Sequence, residues 1–214
     1  MNPITFHAPR AKTALALASA GLLSVTLVQV TAAPPASATS GCNVWLKYAD
    51  QAPKPDSPYS SLATVCLIQA ERANRGLPPI SHTVSLRGMR PQALPMAAKS
   101  LVEAAVTLKW WGPGKDNHTN PQTGSTPQSR IKDAGYCPNS TPPTGEITYT
   151  GAGNGGTPRA AVNAWMNSPG HRDIILGTVW NNYGIADRPD VADKAYIGQS
   201  GGGSYVMDFG YCPR

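Results

Sequence analysis

The 214-residue sequence predicts an α+β layered sandwich in one domain. Three observations carry this. Apolar residues recur at helical spacing in the first half of the chain, at Leu62, Val65, Cys66 and Ala73, and again at Ala97, Leu101, Ala104, Ala105, Leu108 and Trp111. The clearest strand patterns come later, beginning with Glu146-Ile147-Thr148-Tyr149-Thr150. Helices and strands mix without the regular alternation that builds a parallel sheet. Charged residues make up only 14% against 41% apolar, which excludes a solvated disordered chain. Gly and Pro number 21 each, so loops should be abundant.

Residues 1–38 stand apart from the fold. Arg10 and Lys12 precede an uncharged run over 13–30. Pro34-Pro35 ends it, and Ala36-Ser37-Ala38 supplies small residues for cleavage. This is the pattern of a secretory signal peptide, cut after Ala38. Residues 39–58 then read as an N-terminal arm and 59–214 as the domain. The alternative to free secretion is a lipid anchor on Cys42, which follows Thr39-Ser40-Gly41. No second long apolar stretch follows, so no membrane span is expected in the mature chain. Sixteen basic and twelve acidic side chains remain after cleavage, a net charge of +4 without a basic run. A nucleic-acid partner has no support in that pattern.

Cys42, Cys66, Cys137 and Cys212 all lie beyond the cleavage site. An even count in an exported chain predicts two disulfides, and three pairings are open. Cys42–Cys66 and Cys137–Cys212 are favoured: the first ties the arm to a helix, the second a loop to the last strand.

Element by element, the first helix ends at Gly76 before Pro78-Pro79. Residues 80–94 read as irregular. The second stripe runs to Trp111 and stops at Gly112-Pro113. Thr126-Pro127 opens a short helix to about Ala134, Thr157-Pro158 another, and Ser168-Pro169 a third through Leu176, each as an N-cap followed by proline. Strands are expected over 183–186, 195–197 and 205–211, with Gly201-Gly202-Gly203 as the turn between the last two.

Two apparent motifs fail on context. The glycines of 151–156 fit a dinucleotide fingerprint, but no second parallel strand follows the next helix. Gly198-Gln199-Ser200-Gly201-Gly202 fits a nucleophile elbow, but no helix follows Ser200.

The chemistry rests on histidines. His82, His118 and His171 survive cleavage. His171 falls in the first turn of a helix, where the dipole disfavours a positive ring and keeps it neutral for a metal or proton. Glu146, one of three Glu in the chain, starts a strand after Gly145.

Trp165-Met166-Asn167-Ser168-Pro169-Gly170-His171-Arg172-Asp173-Ile174-Ile175-Leu176 resembles the W-M-x-S-P-G-H-R-x-N-I-L motif of bacterial CAP domains, also called SCP-like. That superfamily is named for cysteine-rich secretory proteins, antigen 5 and pathogenesis-related class 1 proteins. Glu71-Arg72 through Gly76-Leu77-Pro78-Pro79-Ile80 resembles its first-helix motif. His118-Thr119, Gly124-Ser125-Thr126-Pro127, Arg130 and Gly135-Tyr136 follow its next segment in order. Gly145-Glu146 and the closing strand also match.

The resemblance implies an α-β-α sandwich with a cleft where two His and two Glu can hold a divalent metal. His118 and His171 match the metal positions, and Glu146 matches one carboxylate. The second Glu is missing near Ser168; Ile147 and Asp173 stand where the family has Asn. The expectation is therefore a weakly held ion, zinc first, on His118 and His171, with Glu146 as an outer carboxylate or candidate catalytic base. The implied protein is a secreted monomer whose cleft takes an unidentified ligand, with lipids, glycans, peptides and cell-wall components as classes. The competing reading is a metal-dependent hydrolase of an extracellular substrate.

Overall fold

The computed structural model describes residues 41–82 and 92–213; the signal-peptide reading falls outside them. The element order is α1 (Asn43–Leu46), α2 (Tyr59–Ala73), β1 (Ser81–His82), α3 (Ala93–Leu108), α4 (Pro127–Asp133), β2 (Thr144–Gly151), α5 (Pro158–Asn167), α6 (Pro169–Leu176), β3 (Asn182–Arg188) and β4 (Gly203–Gly210). The sheet order is β1-β3-β4-β2, with β1 parallel to β3 and the remaining pairs antiparallel.

Alternation along β4 splits the core. Tyr205, Met207 and Phe209 join Ile147 and Tyr183 beneath Ile68 of α2, Trp165 of α5 and Ile175 of α6. Val206 and Ala186 point to the other face, against Ala98, Leu101, Val102 and Ala105 of α3. Every residue of β4 is buried because helices cover both faces. That is the expected α+β sandwich. Gly184 is required here: a Cβ on it would stand 2.3 Å from the Leu94 carbonyl carbon and 2.2 Å from the Pro95 nitrogen.

Sulfur bridges join Cys42 to Cys66 and Cys137 to Cys212. The first ties α1 to α2, and the second secures the chain after α4 to the residue beyond β4.

Three local expectations are corrected. The α3 helix stops at Leu108, not near Trp111. Lys109 turns left-handed (φ 53°) and its Nζ donates to the Val106 and Val191 carbonyls, while Trp111 N–H bonds the Ala192 carbonyl. The segment expected as a strand over 195–197 is instead a 3₁₀ turn, Lys194–Tyr196, started by Asp193 accepting from Ala195 N–H. Gly201 and Gly202 lie in the long connection from β3 to β4, so the last two strands are joined by a loop, not a tight turn.

Candidate functional site

The polar residues of β2 and β4 prepare the site. Glu146 and Asp208 are register partners across the β2–β4 ladder, and Gly184 of β3 lies on the other side of Asp208. All three sit on the sheet face that meets α3 and α4. Arg130, on α4, reaches this row because Thr126 fixes the helix start in a capping box with Ser129.

Glu146 is buried and both its oxygens are engaged. Oε2 accepts from Arg130 Nη2 at 2.7 Å, and Oε1 faces His118 Nδ1 at 2.9 Å. The carboxylate can only accept, so His118 Nδ1 carries the proton and donates it. The neutral ring then keeps its lone pair on Nε2. The side chain of His118 is 37% exposed, against 1% for Glu146. Arg130 Nη2 also donates to the His118 carbonyl at 2.9 Å, and Asp116 Oδ1 accepts from the His118 and Thr119 backbone N–H groups. The loop bearing His118 is thus held from both sides.

Asp208 is fully buried and receives no hydrogen bond from any N–H or hydroxyl among the described residues. It faces the Glu146 carboxylate. Burial, followed by the charge on Glu146, pushes Asp208 well above the usual carboxylate range. The folded protein therefore favours the protonated form of Asp208. Sequence reasoning found no second acid here. The available signal was an Asp inside the apolar run Tyr205-Val206-Met207-Asp208-Phe209, where an acid is costly unless partnered.

His171 occupies the first turn of α6, which opens at Ser168-Pro169, although the Ser168 side chain makes no capping bond. Desolvation first, then the charge of nearby His118, lowers the His171 pKa below the usual histidine value. Its position depends on Arg72 of α2, 1% exposed, whose Nη1 donates to the Ile175 and Gly177 carbonyls at 2.6 and 2.8 Å. Trp180 Nε1 adds a bond to the Ile174 carbonyl at 2.7 Å.

The structure thus brings His118, Glu146 and His171 into one neighbourhood and adds Arg130 and Asp208. His82 lies away from them, with its ring against Tyr183. Among the described residues no set of three or more His, Cys, Asp or Glu is placed to hold a metal. Both Glu146 oxygens are engaged, and through Oε1 the carboxylate orients His118.

The family model described as CAP, the cysteine-rich secretory protein family, matches residues 66–196. A search of curated proteins finds no significant match. An outer surface protein from Borrelia burgdorferi is structurally similar at 20% identity and a TM-score of 0.52, covering 76% of this chain and 100% of its own. An extracellular protein containing an SCP domain, from Bacillus anthracis, aligns at 17% identity and a TM-score of 0.47, over 74% of this chain and 45% of its own. The family match spans more than half of the sequence and takes in most of the first long helix, the His118 loop, Glu146 and His171. This chain belongs to the cysteine-rich secretory protein (CAP) family.

Proposed function

We propose that this is a secreted binding protein whose cleft holds a divalent ion, zinc first, between His118 and His171, together with a ligand that remains to be identified. The observation that carries the reading is the chain Arg130–Glu146–His118, which fixes the imidazole tautomer and leaves Nε2 free beside a neutral-favouring His171. A carboxylate behind a ligating histidine raises its basicity and sets its orientation. Two protein ligands bind more weakly than three or four, so occupancy depends on the ion's concentration.

Export after cleavage at Ala38, with 39–58 as an arm and 59–214 as a monomeric domain, completes the reading. The leader pattern and the two disulfides support it. Cys42 in its bridge has no thiol left for a lipid, which favours the free secreted form.

Binding is favoured over hydrolysis because Glu146 is shielded by Arg130 and His118. Incubating the protein with a peptide and ester library, with and without zinc, tests this. No metal-dependent turnover is expected. Zinc-dependent cleavage that disappears in His118→Ala would overturn the preference and restore the hydrolase.

A further inference from the structure

A polar hollow lies between the end of α3 and the 3₁₀ turn at Lys194–Tyr196. It has a volume of about 540 Å³, within the range of small-ligand sites, and Trp110, Trp111, Lys115, Asp116, Asp193 and Lys194 line it.

Trp111 is 3% exposed and its Nε1–H has no acceptor. The other buried side-chain atoms without partners among the described residues belong to Arg130 and Asp208, so this donor is the one such case outside the histidine site. A buried N–H is costly to leave unpaired. Trp110, half-buried and edge-to-face with Trp111 (centroids 6.3 Å apart, 79° between planes), contributes an aromatic surface. Its own Nε1 is occupied by the Asp116 carbonyl.

The charges on this wall nearly cancel. Lys109 is paired with Asp190. Lys115 and Lys194 have no ion-pair partner among the described residues, and they stand beside Asp116 and Asp193, whose Oδ1 atoms accept backbone N–H groups. Two ammonium donors, two carboxylates, an indole face and one unpaired N–H describe a neutral, polyhydroxylated ligand that also carries a carbonyl. A free anion would meet both carboxylates.

We propose that this hollow binds a neutral N-acetylated sugar. The ring stacks on Trp110, its hydroxyls bond the Asp and Lys side chains, and the acetamide carbonyl accepts from Trp111 Nε1–H. Water does not reach that N–H in the free protein, so uptake includes a small local rearrangement that opens it. The site does not depend on the metal reading.

Titration of ¹⁵N-labelled protein with triacetylchitotriose, followed on the five Trp indole N–H signals, tests this. The Trp111 signal should shift saturably with a Kd of about 1 mM or tighter, with Trp110 shifting beside it while Trp165 and Trp180 stay fixed. Cellotriose, with the same linkage and no acetamide, should bind roughly tenfold more weakly. Trp110→Ala should abolish the response; if that variant does not fold, the wild-type Trp111 signal decides alone. Added zinc should leave the titration unchanged. A Trp111 signal that does not move, equal response to cellotriose, or a response to sodium phosphate in place of the sugar would overturn the proposal. A zinc-dependent titration would also overturn it, because it would place the sugar at the histidines.

Discussion

Asp208 lies fully buried beside Glu146, behind the candidate site. Burial favours its protonated form, which asparagine mimics by offering an N–H where the acid offers an O–H. Asp208→Asn should cost less than about 1 kcal/mol in urea unfolding, whereas Arg130→Met, which strands the Glu146 charge, should cost about 3–5 kcal/mol. A severe loss in Asp208→Asn would show that the ionised acid is the native form. His118, Glu146 and His171 were legible as candidates because each sits inside a recognisable motif; Arg130 lies in one too, but nothing in the sequence directed it to Glu146. Asp208 was not legible, since its partner lies far away in the chain and only strand pairing places them in register.

At the scale of elements, helix starts were the best-read feature. Thr126-Pro127 and Thr157-Pro158 cap as their chemistry requires, with Thr126 accepting from Ser129 N–H and Thr157 from Ala160 N–H. Helix ends were read less well. Trp111 keeps the apolar spacing of α3, but contacts from 190–193 turn the chain at Lys109, and no local pattern announces them.

Two long-range contacts define how α2 serves the fold. Arg72 holds the last turn of α6 through backbone carbonyls, so Arg72→Met should destabilise by about 3 kcal/mol by chemical denaturation and should weaken any binding that needs His171. At its other end α2 lacks a side-chain cap of its own, and Ser60 and Ser61 donate instead to Asp187 of β3, with Ser60 at 2.6 Å. Burial raises the Asp187 pKa against those bonds. The folded state therefore favours the protonated acid. Its contribution is fully present below the unfolded value near 3.8 and is lost as pH rises through the raised folded value. The stability of the parent relative to Asp187→Asn should fall across that window. A difference that grows with pH would contradict the assignment.

For the whole molecule, the sandwich architecture was readable because the helical and strand patterns are distinct and the family motifs occur in order. The sheet's pairing was not, because β3 and β4 are neighbours joined by a long loop and the glycines at 201–203 imitate a tight hairpin. Cys137–Cys212 spans a sequence separation of 75 and Cys42–Cys66 one of 24. Chain-entropy estimates give about 4.5 and 3.4 kcal/mol respectively. Removing the longer bridge should therefore lower the urea midpoint more than removing the shorter, as paired Cys→Ala variants would show. The reverse order would mean that the arm, not the C-terminus, carries more of the fold's stability.

The central claim is that His118 and His171 share one divalent ion. Zinc calorimetry on the parent, His118→Ala and His171→Ala at about pH 7.5 and about pH 5.5, on either side of the ordinary histidine range, tests it most directly. The parent should bind one ion at the higher pH and more weakly at the lower, since a protonated imidazole cannot ligate. Each single variant should nearly abolish binding at both. A parent that binds no zinc, or a His171→Ala protein that binds as well as the parent, would contradict the account and leave the histidines as part of a metal-free ligand site.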